Sequence, residues 1–326
     1  MTDAVDSGTG ARTADPPVAR PLAQTLWGVE FQNPVLLASG TAGYGQELDG
    51  LLDIDTIGGI VTKAVTPEPR TGNPPMRVAE YDAGMLNSVG LANVGLDAFR
   101  AEKLPWLRRR LRRAHVLVNV AGRTVDDYVQ VIRALDDQDG FVGYELNVSC
   151  PNVKEGGAVF CARPQLLHEV VAAARAATRR PLIVKLSPNL PDIGGTAAVA
   201  VEAGADGLTL INTFPGLLFD LATRRSVLGG GTGGVSGPGV LPMGVHAVWQ
   251  AHSRVDVPLI GVGGVRTAHD AAQYFLAGAS LVEVGTATFA DPRAAGRVVK
   301  GLSDYCASQH LRIGDLIGGG TVEGRV

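Results

Sequence analysis

Residues 144–157 read Tyr144-Glu145-Leu146-Asn147-Val148-Ser149-Cys150-Pro151-Asn152-Val153-Lys154-Glu155-Gly156-Gly157. An apolar-leaning run ends in amides, a hydroxyl and a thiol, and a proline and two glycines then turn the chain into a loop. This pattern predicts a buried strand whose carboxyl end presents polar side chains. A free cysteine is more often a small buried apolar residue than a reactive one. The polar neighbours of Cys150 nevertheless favour a functional role for its thiol.

Seven further apolar runs alternate with helix-like stretches, among them residues 124–135, 164–178 and 193–203. Near-continuous apolar strands separated by helices are typical of parallel strands covered on both faces. Together with residues 144–150, the candidate strands are residues 35–40, 59–64, 116–122, 182–188, 207–213, 258–265 and 281–287. Eight such units predict an α/β fold of the (β/α)8 TIM barrel type.

Three segments interrupt this repeat. Residues 27–31 predict a short N-terminal hairpin that caps the barrel. Residues 66–95 contain four prolines, which exclude a regular helix and predict an insertion at the C-terminal face. The run Gly229-Gly230-Gly231-Thr232-Gly233-Gly234 lacks the strand, helix and acidic partner of a dinucleotide fingerprint, so it predicts a mobile loop closed by Ser236-Gly237-Pro238.

Composition narrows the functional class. Apolar residues make up 45% and charged residues 19% of the 326 residues, as in soluble globular proteins. A net charge of −3 argues against nucleic-acid binding. The basic run at residues 108–113 is best interpreted as the solvated end of a helix. A binding patch for phosphate or for a partner is the alternative.

The ends of the sequence and its cysteines set further limits. Residues 1–21 are rich in Ala, Thr, Asp, Gly and Pro and predict a disordered tail, which leaves residues 22–326 as one domain. Neither a signal peptide nor an apolar run of transmembrane length is present, so we expect a cytoplasmic protein without membrane contact. Three cysteines without a Cys-x-x-Cys pair exclude a disulfide framework and a four-cysteine metal site or iron–sulfur cluster held by this sequence alone.

The carboxyl ends of the predicted strands carry small or polar residues. Active sites of such barrels are built at this face from several strands, so we expect the site there. In chain order the ends present Ser39-Gly40, Lys63-Ala64, Asn119, residues 147–150, Lys185, Asn212-Thr213, Gly263-Gly264 and Gly285-Thr286.

These ends indicate the kind of ligand. The glycines that end the last two strands favour a phosphate held by backbone N–H groups, with simple tight turns as the alternative. Lys63 and Lys185 lie among apolar neighbours, which is costly unless each faces an anion or polar cofactor; a buried structural ion pair is the alternative. The asparagines (Asn87, Asn119, Asn147, Asn152 and Asn212) suit an imide or pyrimidine edge, because amides both donate and accept.

Elimination leaves one acid–base candidate. The six histidines lie away from the strand ends, so neither a histidine base nor a serine nucleophile with such a base is supported. No cluster has metal-ligand spacing, and no metal site is predicted. Cys150 remains, working with the chemistry of an organic cofactor.

At these residues the sequence resembles the class 1 dihydroorotate dehydrogenases, and most closely class 1B. The resemblance covers about residues 26–314. It is carried by Asn147-Val148-Ser149-Cys150-Pro151-Asn152-Val153-Lys154 with Gly156-Gly157, Gly72-Asn73-Pro74-Pro75-Met76-Arg77, Gly84-Met85-Leu86-Asn87-Ser88-Val89-Gly90-Leu91, Val184-Lys185-Leu186-Ser187-Pro188, Ile211-Asn212-Thr213, Gly233-Gly234-Val235-Ser236-Gly237-Pro238 and Gly261-Val262-Gly263-Gly264-Val265.

The resemblance implies a site for FMN and a pyrimidine. It implies Cys150 as the catalytic base. It implies FMN held by Ser39, Lys63, Ala64, Asn119, Asn147, Lys185, Ile211, Gly237, Gly263, Gly264, Gly285 and Thr286. It places the substrate against Lys63, Asn87, Ser88, Val89, Gly90, Leu91, Asn147, Asn212 and Thr213.

The implied reaction is oxidation of (S)-dihydroorotate to orotate in pyrimidine biosynthesis. Cys150 as thiolate removes the C5 proton while hydride leaves C6 for N5 of FMN, and Lys185 stabilises the anionic reduced flavin. Class 1B implies a homodimer joined by electron-transfer subunits in a heterotetramer. Those subunits carry FAD and an iron–sulfur cluster and pass electrons to NAD+.

Three alternatives remain open at this point. The barrel could act alone with fumarate as acceptor, as class 1A enzymes do. It could be a related flavin barrel that reduces another pyrimidine or an enoate. It could also be a non-catalytic barrel that binds a partner.

Overall fold

The computed structural model describes residues 20–148 and 160–322. Within these residues, eight parallel strands pair side by side and close into a barrel. They are β3 (Val35–Leu37), β4 (Gly59–Val61), β7 (His115–Val120), β8 (Gly143–Asn147), β9 (Leu182–Lys185), β10 (Gly207–Leu210), β15 (Leu259–Val262) and β16 (Leu281–Val284). Their order around the barrel is their order along the chain, which confirms the predicted TIM barrel.

Helices cover the outside of the barrel. Capping boxes at Thr124 and Thr267 begin two of them, and the Asp192 carboxylate caps a third. The helices are α1 (Gly95–Ala98), α2 (Leu104–Arg110), α3 (Val125–Leu135), α4 (Pro164–Ala177), α5 (Ile193–Glu202), α6 (Leu241–His252), α7 (Ala268–Leu276), α8 (Ala287–Ala290) and α9 (Ala294–Gln309). The helices expected at residues 124–135, 164–178 and 193–203 are therefore confirmed as α3, α4 and α5.

Strand residues alternate between the helices and the barrel interior, as the two-residue period of a strand requires. On β9, Leu182 and Val184 pack in the large outer core, whereas Ile183 lies in a smaller inner cluster. That inner cluster joins Phe31, Leu36, Val61, Leu117, Ile183, Ile260 and Leu281. Two residues further along β7, β9 and β16, the buried side chains become Asn119, Lys185 and Glu283. The interior thus changes from apolar to polar towards the carboxyl ends of the strands.

A hairpin closes the amino-terminal end of the barrel. It consists of β1 (Gln24–Leu26) and β2 (Val29–Phe31), which pair antiparallel. Phe31 is fully buried in the inner cluster, and the Trp27 indole N–H donates a 2.8 Å hydrogen bond to the Asp206 carbonyl. The predicted cap is confirmed, although its strands begin earlier than residue 27, which lies in the turn.

A second sheet stands at the opposite end, where the barrel strands finish. This mouth sheet contains β5 (Val78–Tyr81), β6 (Gly84–Asn87), β11 (Phe214–Gly216) and β14 (Gly233–Ser236), all antiparallel. A small hairpin, β12 (Phe219–Asp220) with β13 (Arg225–Ser226), lies between β11 and β14 along the chain. The insertion at residues 66–95 contains no helix before α1, as its prolines predicted, but it supplies two strands.

The prediction of a loop throughout residues 229–238 is wrong for Gly233–Ser236, which form the strand β14. Gly234 pairs with Asn87 of β6, and a side chain at Gly234 would collide with that of Thr213. Tertiary pairing therefore makes a strand from residues whose intrinsic preference is for a turn.

The basic run lies where a solvated helix end was expected. Helix α2 ends at Arg110, whose guanidinium lies 3.1 Å from Asp49 and 3.4 Å from Asp53 at the surface. No helix in the described part of the chain is both long enough and apolar enough to cross a membrane. Residues 1–19 lie outside the described residues, so the tail and the single domain at 22–326 remain predictions.

Candidate active site

A cavity of about 560 Å³ lies between the carboxyl ends of the barrel strands and the mouth sheet. This volume falls within the range of about 300–1,000 Å³ typical of small-molecule sites. Every barrel strand contributes to its wall, either directly or through the residues that follow it. The carboxyl ends of the strands therefore meet at one site, as the sequence predicted.

Every position predicted to hold the cofactor lines this cavity. They are Ser39, Lys63, Ala64, Asn119, Asn147, Lys185, Ile211, Gly237, Gly263, Gly264, Gly285 and Thr286. The predicted substrate positions Asn87, Val89, Gly90, Leu91, Asn212 and Thr213 also line it. Ser88 does not; it is buried and accepts a 2.8 Å hydrogen bond from the Asn73 amide. Cys150 and Asn152 lie outside the described residues.

Lys185 lies at the floor of the cavity with only 5% of its surface exposed. Its ammonium is 3.1 Å from Glu283 Oε2, 3.7 Å from Glu145 Oε1 and 3.4 Å from Ser39 Oγ. Burial alone would lower the pKa of Lys185, but the two carboxyl groups outweigh it and raise that pKa. Lys185 is therefore a permanent cation beneath the cavity. The sequence left a buried structural ion pair open as the alternative role of this lysine, and that ion pair is present.

Glu145 orients the amide of Asn119. The Asn119 Nδ2 group donates a 2.6 Å hydrogen bond to Glu145 Oε1, and the Thr209 hydroxyl donates one of 2.8 Å to Glu145 Oε2. A carboxylate only accepts hydrogen bonds, so the amide nitrogen of Asn119 must face it. The Asn119 Oδ1 atom is then left buried without a partner in a residue that lines the cavity.

The unpaired carbonyl of Asn119 tests whether this site fits a flavin. A buried acceptor without a donor costs about 1–3 kcal/mol, so the site is completed by a ligand that brings an N–H group. The imide of an isoalloxazine ring has such a group, and its carbonyl oxygens suit the Lys185 ammonium. The donor set therefore fits FMN.

The amides of Asn147 and Asn212 form a second polar cluster on the cavity wall. Asn212 Nδ2 donates to Asn147 Oδ1 at 3.4 Å, and the backbone N–H of Thr213 donates to Asn212 Oδ1 at 2.8 Å. The Tyr128 hydroxyl donates to the backbone carbonyl of Asn147 at 2.9 Å, which anchors the end of β8. This cluster presents neighbouring donors and acceptors of the kind that a pyrimidine edge requires.

Lys63 lies beside the cavity at the end of β4. Burial lowers the pKa of its ammonium; Glu47 opposes that shift and Arg77 adds to it. A partly buried lysine at a cavity wall gains most from an anionic ligand, such as a carboxylate.

Glycines at the ends of β15 and β16 shape the remaining wall. Gly264 has a φ of +76°, and a Cβ there would lie 2.9 Å from the backbone of Leu241 at the start of α6. The Thr286 hydroxyl donates to Ser236 Oγ at 2.8 Å, which joins β16 to the mouth sheet. Backbone N–H groups without intervening side chains are typical of a phosphate cradle in this fold.

The sequence interpretation missed Glu145 and Glu283. Both are fully buried and both contact Lys185. Their signal was a charged residue inside an otherwise apolar strand, at a position whose side chain points into the barrel. Within residues 20–148 and 160–322, no three His, Cys, Asp or Glu side chains are grouped to bind a metal ion.

Comparison with known proteins identifies the family. The family model for dihydroorotate dehydrogenase matches residues 21–305. A Solibacter usitatus protein provisionally named dihydroorotate dehydrogenase A (fumarate) is 52% identical, with 91% of this chain and 97% of that protein covered. The catalytic subunit of dihydroorotate dehydrogenase B (NAD(+)) from Geotalea daltonii is 46% identical, with 92% and 99% covered.

A second catalytic subunit of this type, from Geotalea uraniireducens, is 47% identical, with 89% of this chain and 95% of that protein covered. The crystal structure of dihydroorotate dehydrogenase from Eimeria tenella in complex with ferulenol superposes with a TM-score of 0.77 at 25% identity. That match covers 94% of this chain and 91% of the other. The chain belongs to the dihydroorotate dehydrogenase family.

Proposed function

We propose that this chain oxidises (S)-dihydroorotate to orotate, with FMN and the substrate bound together in the barrel-mouth cavity. One observation carries the proposal: in a member of this family, the cavity brings every predicted cofactor position together around the buried cation of Lys185. The unpaired acceptor on Asn119 and the amide cluster of Asn147 and Asn212 support it.

When bound, FMN supplies the two-electron oxidation by accepting a hydride from C6 of dihydroorotate. The chain itself handles the proton and the charges. We assign proton removal from C5 to the thiolate of Cys150, which comes three residues after the last residue of β8 in the sequence. Lys185 supplies positive charge for the reduced cofactor, because a fixed cation in a dry site stabilises developing negative charge strongly.

The substrate's carboxylate and ring edges are assigned to different groups. Lys63, a cation at the cavity wall, is assigned to the carboxylate, and the amides of Asn147 and Asn212 to the ring. Holding both ends of the substrate aligns the reacting carbons with the base, which lowers the entropic part of the barrier.

We further propose that a partner subunit with FAD and an iron–sulfur cluster carries the electrons to NAD+. The sequence holds three cysteines in total, fewer than a four-cysteine cluster needs, and no dinucleotide fingerprint. Several relatives are named as NAD(+)-linked catalytic subunits, which supports this route. The homodimer joined by such subunits is part of the proposal through the resemblance to class 1B alone. Fumarate as acceptor is the second candidate, because the Solibacter relative carries that name.

The first prediction concerns the visible spectrum of the purified protein. Without oxygen, we expect a flavin spectrum that bleaches when dihydroorotate is added, because the hydride moves to the bound cofactor. Bleaching by dihydrouracil in place of dihydroorotate would assign another pyrimidine as substrate, and reoxidation of chemically reduced flavin by an enoate would assign an enoate. A preparation that does not take up FMN would contradict the cofactor site.

The second prediction concerns the acceptor. With the chain alone, we expect multiple turnovers of dihydroorotate with an artificial dye but at most one dihydroorotate oxidised per flavin with NAD+ or fumarate. Adding the electron-transfer subunit from the same organism should restore turnover with NAD+. Sustained fumarate reduction by the chain alone would instead assign the fumarate-dependent type.

A further inference from the structure

Two buried carboxyl groups share one buried cation at the floor of the cavity. Glu145 on β8, Lys185 on β9 and Glu283 on β16 are each at most 5% exposed. If both carboxyl groups were ionised, the cluster would carry a net charge of −1 in a region that excludes water. Burying an uncompensated charge is costly, so the cluster is expected to hold one extra proton.

The hydrogen bonds distinguish the two carboxyl groups. Both oxygens of Glu145 accept hydrogen bonds, from Asn119 and Thr209, and its Oε1 atom also faces Lys185. Donors directed at both oxygens stabilise the carboxylate form. Glu145 therefore serves as the counterion of Lys185.

Glu283 has a different environment. Its Oε2 atom accepts from Lys185 at 3.1 Å, whereas its Oε1 atom is buried without any donor. Lys185 Nζ lies 3.1 Å from Glu283 and 3.7 Å from Glu145, so the two carboxyl groups flank one ammonium. Burial raises the pKa of Glu283 to about 8, the charge of Glu145 adds to the shift, and Lys185 opposes it.

The neighbouring strands add no other charge to this carboxyl group. At the register position of Glu283, β15 contributes Val262 and β3 contributes Leu36, both buried and apolar. Among residues 20–148 and 160–322, the ionisable groups that act on Glu283 are thus Glu145 and Lys185.

We propose that Glu283 carries a proton in the resting protein and is a positioning residue, which holds Lys185 in place without neutralising it. The neutral acid leaves Glu145 as the one counterion of Lys185, so the ammonium remains free to face an anionic ligand. This inference rests on the proposed function only in assigning that ligand as FMN. Loss of the proton adds a negative charge next to Lys185 and disfavours the reduced, anionic cofactor.

The test uses Glu283→Gln, because an amide has the shape of the protonated acid and cannot ionise. Glu202→Gln, on the exposed end of α5, is the matched control for the same formal change in charge. The midpoint potential of bound FMN is measured against pH in wild type and both variants. Infrared spectra of protein labelled with ¹³C at its glutamate carboxyl groups report protonation directly, whether or not FMN is bound.

We expect wild type and Glu202→Gln to show a steeper fall in potential with pH above about 8, from uptake of one additional proton on reduction. For two electrons this is up to a tenfold change in the redox equilibrium per pH unit, or about 30 mV. Glu283→Gln should keep FMN and lose this additional slope. The infrared spectrum of wild type near neutral pH should contain a protonated carboxyl band that Glu283→Gln removes.

Two outcomes would overturn the proposal: identical potential–pH curves in wild type and Glu283→Gln, or no protonated carboxyl band assigned to Glu283. The second readout is independent of the proposed reaction. A protein that shows the band but does not bleach with dihydroorotate would therefore contradict the substrate and leave the proton on Glu283 in place. If Glu283→Gln does not fold, titration of the protonated carboxyl band in wild type decides whether Glu283 carries the proton.

Discussion

Replacing Cys150 by serine is expected to slow the reduction of bound flavin by dihydroorotate about 100- to 10,000-fold near neutral pH. That range is the usual contribution of a positioned general base. A thiol has an ordinary pKa of about 8.5, so a useful fraction ionises near neutral pH, whereas a serine hydroxyl ionises far less readily. Anaerobic stopped-flow measurement of flavin bleaching gives the rate directly.

The matched control for this variant is Cys306→Ser. Cys306 is fully buried in α9, away from the cavity, and burial raises the pKa of its thiol. That control should retain the wild-type rate of flavin reduction. For wild type, the rate should increase with pH as the Cys150 thiol ionises, and Cys150→Ser should lose this dependence. Near-normal reduction by Cys150→Ser would refute the assignment of the base.

Lys185→Met is expected to lower the free energy of unfolding by about 3–5 kcal/mol, the usual cost of removing one partner of a buried ion pair. The change leaves the Glu145 carboxylate buried without its cation, and methionine replaces only the apolar part of the lysine. The variant should also lose most of its affinity for FMN. Urea unfolding, followed by circular dichroism, and titration with FMN measure the two effects.

A triple variant separates the two losses. Lys185→Met combined with Glu145→Gln and Glu283→Gln removes every charge from the cluster, so we expect it to recover most of the stability lost by Lys185→Met. It should not recover flavin reduction, because the cation that stabilises the reduced cofactor is absent. Recovery of both properties would show that Lys185 contributes packing alone.

The sequence was sufficient to predict the barrel and the position of its site. Parallel strands buried on both faces are recognisable as continuous apolar runs in the sequence. The fold brings their carboxyl ends to one face, independently of the loop sequences. Positions as distant along the chain as Ser39 and Thr286 could therefore be assigned to one cavity, where the structure places both. Cys150 remains a prediction, since its segment lies outside the described residues.

The contacts inside the site could not be predicted in the same way. Glu145 and Glu283 were visible as charges within apolar strands, but their shared partner depends on which strands face each other across the closed barrel. β16 lies three strands from β9 around the barrel, so no local pattern connects Glu283 to Lys185. The strand β14 was missed for a related reason: Gly233 and Gly234 favour turns, and only pairing with β6 makes them extended.

The hairpin that closes the amino-terminal end of the barrel also determines how ligands exchange. With Phe31 sealed against the inner cluster, a molecule held above Lys185 has no exit through the base of the barrel. Ligands therefore enter and leave the cavity at the end where the barrel strands finish, beside the mouth sheet. Any cofactor and substrate that share this cavity must therefore use the same entrance.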